Sequence, residues 1–164
     1  MSIIEKSVTI AAPIEAVFDF HTDTNNLRLI SPPWIAANVV RQEGEGKGKI
    51  IELRIIQFGV FPSRWHVSID EFERPFRITD LMLSGPMKYF RHTRHLTQPC
   101  ASLTELVDHV EYVLPFGAIG RIADKLSVHQ MMDQMFEYRH KKTKEILEKR
   151  FYIADVPLEN VGAV

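Results

Sequence analysis

Between residues 38 and 114 apolar and polar positions alternate with period two, the mark of strands that bury one face. Ahead of that region, Ile3 to Ile10 is a β-type run rich in Ile and Val, ended by Ala11-Ala12-Pro13. Pro13 suits the first position of a helix, where its missing N–H costs nothing, and Ile14, Val17, Phe18 and His21 follow at helical spacing. Asp23 to Leu29 reads as a second short helix, stopped by Ser31-Pro32-Pro33. Further strands are predicted at Asn38 to Glu43, Lys49 to Phe58, Ser63 to Phe72, Phe76 to Ser84, Lys88 to Thr97 and Ser102 to Leu114. The turns between them are short and carry Gly or Pro, which implies antiparallel neighbours. Ala118 to Arg150 has no proline and reads as one long helix with an apolar stripe of Ile119, Ile122, Leu126, Met132, Met135, Phe136, Ile146 and Leu147. Lys141, Lys142, Lys144, Lys149 and Arg150 crowd its end, where cations suit the helix dipole.

This order predicts an α+β fold: a seven-stranded antiparallel curved sheet gripping a long C-terminal helix, with two short helices between strands 1 and 2. A sheet with one apolar face must bury it, and the long helix is the only element large enough to cover it. The space between sheet and helix is then a natural small-molecule site. Residues 1–150 form a single domain in this reading, and 151–164 form a C-terminal tail without a strong pattern.

Alternation also assigns faces. Trp65, Val67 and Ile69, then Phe76, Ile78, Asp80 and Met82, then Phe90, His92, Arg94 and Leu96, then Leu106, Asp108, Val110 and Tyr112 are expected to point inward. Asp80, Arg94 and Asp108 therefore share the concave side on three successive strands, with His92 beside them. Charges buried there must be paired or face a wet cavity. Three roles fit: an ion-pair network that fixes register, a set of groups that orients the polar head of a ligand, and acid–base catalysis with His92 as proton carrier. Met131, Met132 and Met135 suit either a cavity wall or ordinary core. Trp34, after Pro32-Pro33, is a candidate for the cavity mouth or for plain packing.

Composition narrows the function classes. The 164 residues include 45% hydrophobic and 25% charged positions, ordinary for a globular domain, and the formal net charge is -1. The basic footprint of a general nucleic-acid binder is absent. A lone Cys100 excludes an intrachain disulfide. The opening Met1-Ser-Ile-Ile-Glu-Lys is not a signal peptide, and no uncharged apolar run approaches the ~20 residues that span a bilayer, so a cytoplasmic protein is expected. Gly44-Glu-Gly46-Lys-Gly48 lacks phosphate-loop spacing and reads as a hairpin turn. His92 and His95 fall on opposite strand faces and cannot share a metal. No metal and no cofactor is expected.

The runs Ile10-Ala-Ala-Pro13 with Val17-Phe18, Trp65 and Ile69, Pro75-Phe76, Asp80, Gly85-Pro86, Phe90-Arg91-His92, and Asp108-His-Val110-Glu-Tyr112 with Pro115-Phe-Gly117 stand in a characteristic order and spacing. Over residues 3 to 150 this order resembles the SRPBCC superfamily of START-related, polyketide-cyclase-related and pollen-allergen-related proteins. The resemblance implies the helix-grip fold, and it is strongest to bacterial stand-alone ligand-binding members. Those tend to carry His-x-His on the sixth strand. Here the run is His92-Thr93-Arg94-His95, so Arg94 takes the second inward position.

The leading expectation is a binding or carrier module for a small hydrophobic or amphipathic molecule. Its candidate ligand-binding residues are Trp65, Ile69, Asp80, Phe90, His92, Arg94, Asp108, Val110, Tyr112, Met132, Met135 and Phe136. The alternative is a polyketide cyclase/dehydratase-like enzyme with His92, Arg94 and Asp108 as catalytic candidates. A third reading is a partner protein whose groove engages another chain, which would show a large exposed apolar patch. A monomer or weak homodimer is expected.

Overall fold

Each predicted strand forms, and the sheet closes around one helix. A computed structural model describes residues 1–154, less the side chains at 121, 123, 124, 126, 153 and 154. The tail from 155 onward and the inward position of Leu126 lie outside the described residues. The order is β1 (Ser2–Ile10), α1 (Ile14–Thr22), a single 3-10 turn (Thr24–Asn26), α2 (Leu27–Ile30), β2 (Ile35–Glu43), β3 (Ile50–Gln57), β4 (Phe61–Glu73), β5 (Arg77–Ser84), β6 (Tyr89–Cys100), β7 (Leu103–Val113), α3 (Gly117–Ala123), a π-helical stretch (Asp124–Val128) and α4 (His129–Ala154). The first four residues assigned to the tail are thus helical and continue α4. The seven strands pair antiparallel in the order β1-β7-β6-β5-β4-β3-β2. No described helix is long and apolar enough to cross a membrane.

Irregular register curves the sheet. β4 slips against β5 between His66 and Val67 and again between Ile69 and Glu71, and β2 slips against β3 between Val39 and Arg41. An extra residue on one strand bends it and increases its twist. The slip at Asp70 also restarts the alternation, so Ile69 and Phe72, three apart, both face the interior. β6 runs on through Pro99 to Cys100 with a further irregularity after Thr97, and its turn falls at Ala101-Ser102 rather than at Cys100.

Two sequence expectations change. Phe76 is not inward: it lies in the turn before β5 and is 57% exposed, so the inward set on that strand begins at Ile78. Ile119 and Ile122, expected on the buried stripe of one continuous helix, are 73% and 60% exposed. The π-helical stretch after them explains this. Bonding from i to i+5 shifts the helical register by about one residue, so a stripe continuous in sequence breaks in space at α3.

The core has two parts. At one end, Ile10, Ile14, Val17, Phe18, Leu96, Leu106 and Leu147 bring α1 and the late turns of α4 onto the sheet. At the other, Ile4, Ile35, Ile55, Phe90, Val110, Tyr112, Met132, Met135 and Phe136 pack under the early turns of α4. Trp34 packs there too, edge-on to Tyr138 with ring centroids 6.1 Å apart, and does not line the cavity.

Candidate functional site

Cross-strand register sets the polar belt between those two apolar parts. β6 and β7 align Leu96 with Leu106, Arg94 with Asp108, His92 with Val110, and Phe90 with Tyr112. Reading inward positions along β6 therefore gives apolar, cationic, imidazole, apolar. α4 repeats the order from above. Met132, Met135 and Phe136 are followed at i+3 and i+4 spacing by Arg139 and His140, then by buried Thr143 and Leu147. Polar groups of helix and sheet thus meet at one level.

Between sheet and helix lies a cavity of about 360 Å³. Of the residues expected at a ligand, Trp65, Ile69, Phe90, Met132, Met135 and Phe136 line it as apolar wall, and Asp80, His92, Arg94 and Asp108 line it as polar wall. Trp65 meets Phe90 edge to face at 5.2 Å, and His92 meets Phe136 the same way at 5.0 Å. Val110 and Tyr112 are inward but are not part of the wall. α4 lies along β1 on this side of the sheet, where Lys6 pairs with Asp133, and it seals both residues into the core. The Tyr112 hydroxyl instead meets His129 Nδ1 at 3.2 Å.

The charged cluster divides differently from the trio of Asp80, Arg94 and Asp108 that the strand faces suggest. Arg94 donates to Asp80 Oδ2 at 2.7 Å. Asp108 is held by two imidazoles, His92 Nε2 on Oδ1 at 2.7 Å and His140 Nε2 on Oδ2 at 2.6 Å. Burial opposes ionisation of Asp108, but attraction to His92 and hydrogen bonds from His140 and His92 outweigh it and hold the carboxyl well below its ordinary range. An ionised carboxylate only accepts, so both Nε2 atoms carry protons toward it. Burial, reinforced by Arg94, lowers the His92 pKa and keeps its ring neutral. Burial also opposes the charge on Arg94, and Asp80 followed by Asp108 reverses that, raising its pKa. His92 Nδ1 lies 3.8 Å from Asp80 Oδ2. A proton arriving at Nδ1 would therefore be stabilised between two carboxylates.

Three residues outside the expected set bear on the polar belt. His21 and Arg139 line it, and His140 supplies the second hydrogen bond to Asp108. The signal for His21 was its place in the helical series Ile14, Val17, Phe18. For Arg139 and His140 it was their place one turn after Met135 and Phe136. His95 is exposed on the opposite face of β6. Among the described residues no group of three or more His, Cys, Asp or Glu side chains is arranged to hold a metal ion.

Comparison with known proteins agrees with this architecture. The chain matches the family described as polyketide cyclase / dehydrase and lipid transport over residues 10–136. No curated protein matches it in sequence. Among solved structures, the Zhui aromatase/cyclase from a Streptomyces species superposes with a TM-score of 0.77 at 18% identity, covering 95% of this chain and 99% of that one. A Thermus thermophilus protein gives 0.69 at 22% identity, over 94% and 100% of the two chains. A START superfamily protein from Mycobacterium smegmatis gives 0.66 at 13% identity, over 90% and 98%. At these identities the likeness is one of fold.

Proposed function

Because the chain belongs to the polyketide cyclase / dehydrase and lipid transport family, we propose that it binds a small amphipathic molecule between the sheet and α4. One observation carries this reading: the interior space of about 360 Å³ has an apolar wall that includes Trp65, Phe90, Met132 and Phe136 beside a polar belt of Asp80, His92, Arg94 and Asp108. Sites for small molecules are largely apolar with a few convergent polar groups. The apolar body of the ligand would lie against Trp65, Phe90, Met132 and Phe136. Its polar end would lie at the level of Asp80, His92, Arg94 and Asp108. A thermal-shift screen with a broad library of fatty acids, fatty alcohols and fused-ring aromatics tests the reading. A ligand that binds only the folded state at about one hundred times its Kd adds about 2.7 kcal/mol of stability. Native mass spectrometry of the purified protein would look for a co-purified small molecule of matching chemistry. No shift with any member of the library and no retained molecule would sink the proposal.

A second reading is favoured by one specific feature. His92 is neutral, faces the cavity, and is fixed by Asp108 with an unprotonated Nδ1, the arrangement of a general base. In a cyclase-like reaction it would take a proton from a carbon between two carbonyls of a polyketide-like substrate. His92→Asn should then abolish turnover of a linear poly-β-ketone while leaving its binding intact. Unchanged turnover in that variant removes His92 from catalysis.

A further inference from the structure

Each charge of the polar belt except one has a partner of opposite sign or a full set of hydrogen bonds. Asp80 is committed to Arg94. Asp108 is committed to His92 and His140. Arg139 enters the same cavity from α4 with its guanidinium cation–π stacked over Phe136, 5.4 Å from the ring centroid. Its Nε is sealed from bulk water and has no hydrogen-bond partner among the described residues. His21 enters from α1 onto the same wall, and its Nε2 is likewise sealed and unpartnered. Of the buried side-chain atoms without a partner among the described residues, these two belong to residues of the cavity wall, and they call for a physical reason, because an unmatched buried donor costs about 1–3 kcal/mol.

From this geometry we propose that Arg139 and His21 form the head-group site of the cavity and that the ligand carries a carboxylate. The proposal rests on the small-molecule binding reading above and adds the chemical class of the ligand. Guanidinium matches a carboxylate with parallel N–H donors, and such charge-assisted bonds are stronger than neutral ones. Phe136, stacked on Arg139, holds the fork toward the lumen. His21 with its proton on Nε2 gives a further donor. The apolar residues on the same wall, Trp65, Phe90 and Met132, receive the rest of the molecule. The local electrostatics agree: burial, then the neighbouring charge of Arg94, pushes Arg139 down to about 10, so it stays a cation whose environment opposes its charge. His21 is pushed down to about 3 by burial and then by Arg94, and so stays neutral. An anion beside the pair would relieve both strains.

Isothermal titration calorimetry on the full chain with two matched pairs, decanoate against decanol and naphthoate against naphthol, tests this. The acid of at least one pair should bind about tenfold or more tightly than its alcohol, the equivalent of one charge-assisted hydrogen bond. Arg139→Gln should bring the acid down to the alcohol's affinity and leave the alcohol unchanged, and Arg139→Lys should keep part of the preference. Equal affinity of acid and alcohol in the wild type overturns the proposal without touching the cavity reading, and it needs no variant to fold. A preference that survives Arg139→Gln overturns it as well. Binding of none of the four probes overturns the carboxylate site, while the cavity reading stands or falls on the broader screen and the retained-molecule test.

Discussion

Across β6 and β7 the backbone sets Arg94 opposite Asp108, yet the guanidinium reaches diagonally to Asp80 on β5. The choice follows from supply: Asp108 already accepts from two imidazoles, and among the described residues Asp80 has its hydrogen bond from Arg94 alone. Both members of the pair are mostly buried, with side chains 13% and 17% exposed, so removing one leaves an uncompensated charge. Arg94→Met should lower stability in denaturant melts by about 3–5 kcal/mol. The double variant Arg94→Met/Asp80→Asn should recover most of that loss, and Arg94→Met/Asp108→Asn should not. A loss under about 1 kcal/mol would mean that cavity water solvates Asp80 and that the pair serves a ligand rather than the fold. His21 gives a pH signature. Its pKa is lowered from 6.5 to about 3 in the folded chain, so below pH 6.5 the unfolded chain takes up a proton that the folded chain refuses. Its contribution is present above 6.5 and is lost progressively as pH falls toward 3. At pH 5 the loss from this group is about 2 kcal/mol. Replacing His21 with Phe should flatten the melting temperature between pH 7 and 5, and an unchanged slope would place the effect elsewhere.

At the scale of elements, the C-terminal helical stretch divides into parts with different work. α4 carries the inward residues Met132, Met135, Phe136, Arg139 and His140, and α3 carries exposed apolar side chains before the register shift of the π-helical stretch. Phe136→Ala should cost about 3–5 kcal/mol, because a fully buried ring leaves a cavity and removes the edge contact with His92. Ile119→Ser should stay within about 0.5 kcal/mol, as an exposed substitution does. Equal costs in chemical denaturation would show that α3 packs as a continuation of α4. The bulge at Asp70 is the other element-scale device, since it turns both Ile69 and Phe72 into the lumen.

Over the whole molecule, the sheet order places β7 between β1 and β6 and leaves β2 at one border. Hydrogen exchange should therefore be slowest at the β7 amides around Leu106 to Val110 and fastest among strands in β2, whose outer groups have no strand partner among the described residues. Protection of β2 equal to that of β7 would mean that a second copy covers the edge, which analytical ultracentrifugation would then show as a dimer.

Period-two alternation is a property of the local backbone, and it was enough to fix the strand count, the antiparallel meander and the inward set Trp65, Ile69, Ile78, Asp80, Phe90, His92, Arg94 and Asp108. The family resemblance lay in the same residues. Alternation fails where an extra residue or a turn resets it, as at Phe76 and Asp70, because the pattern carries no information about where pairing begins. It also says nothing of partners. Asp108 is bound by a histidine thirty-two positions later in the chain, and that contact exists only because α4 crosses the sheet at the level of β6 and β7. The same crossing seals Val110 and Tyr112 away from the cavity and brings Arg139 into it. Which side chains share a face was written in the sequence. Which faces meet, and so which groups are satisfied and which are left for a ligand, was decided by where the helix axis lies across the curved sheet.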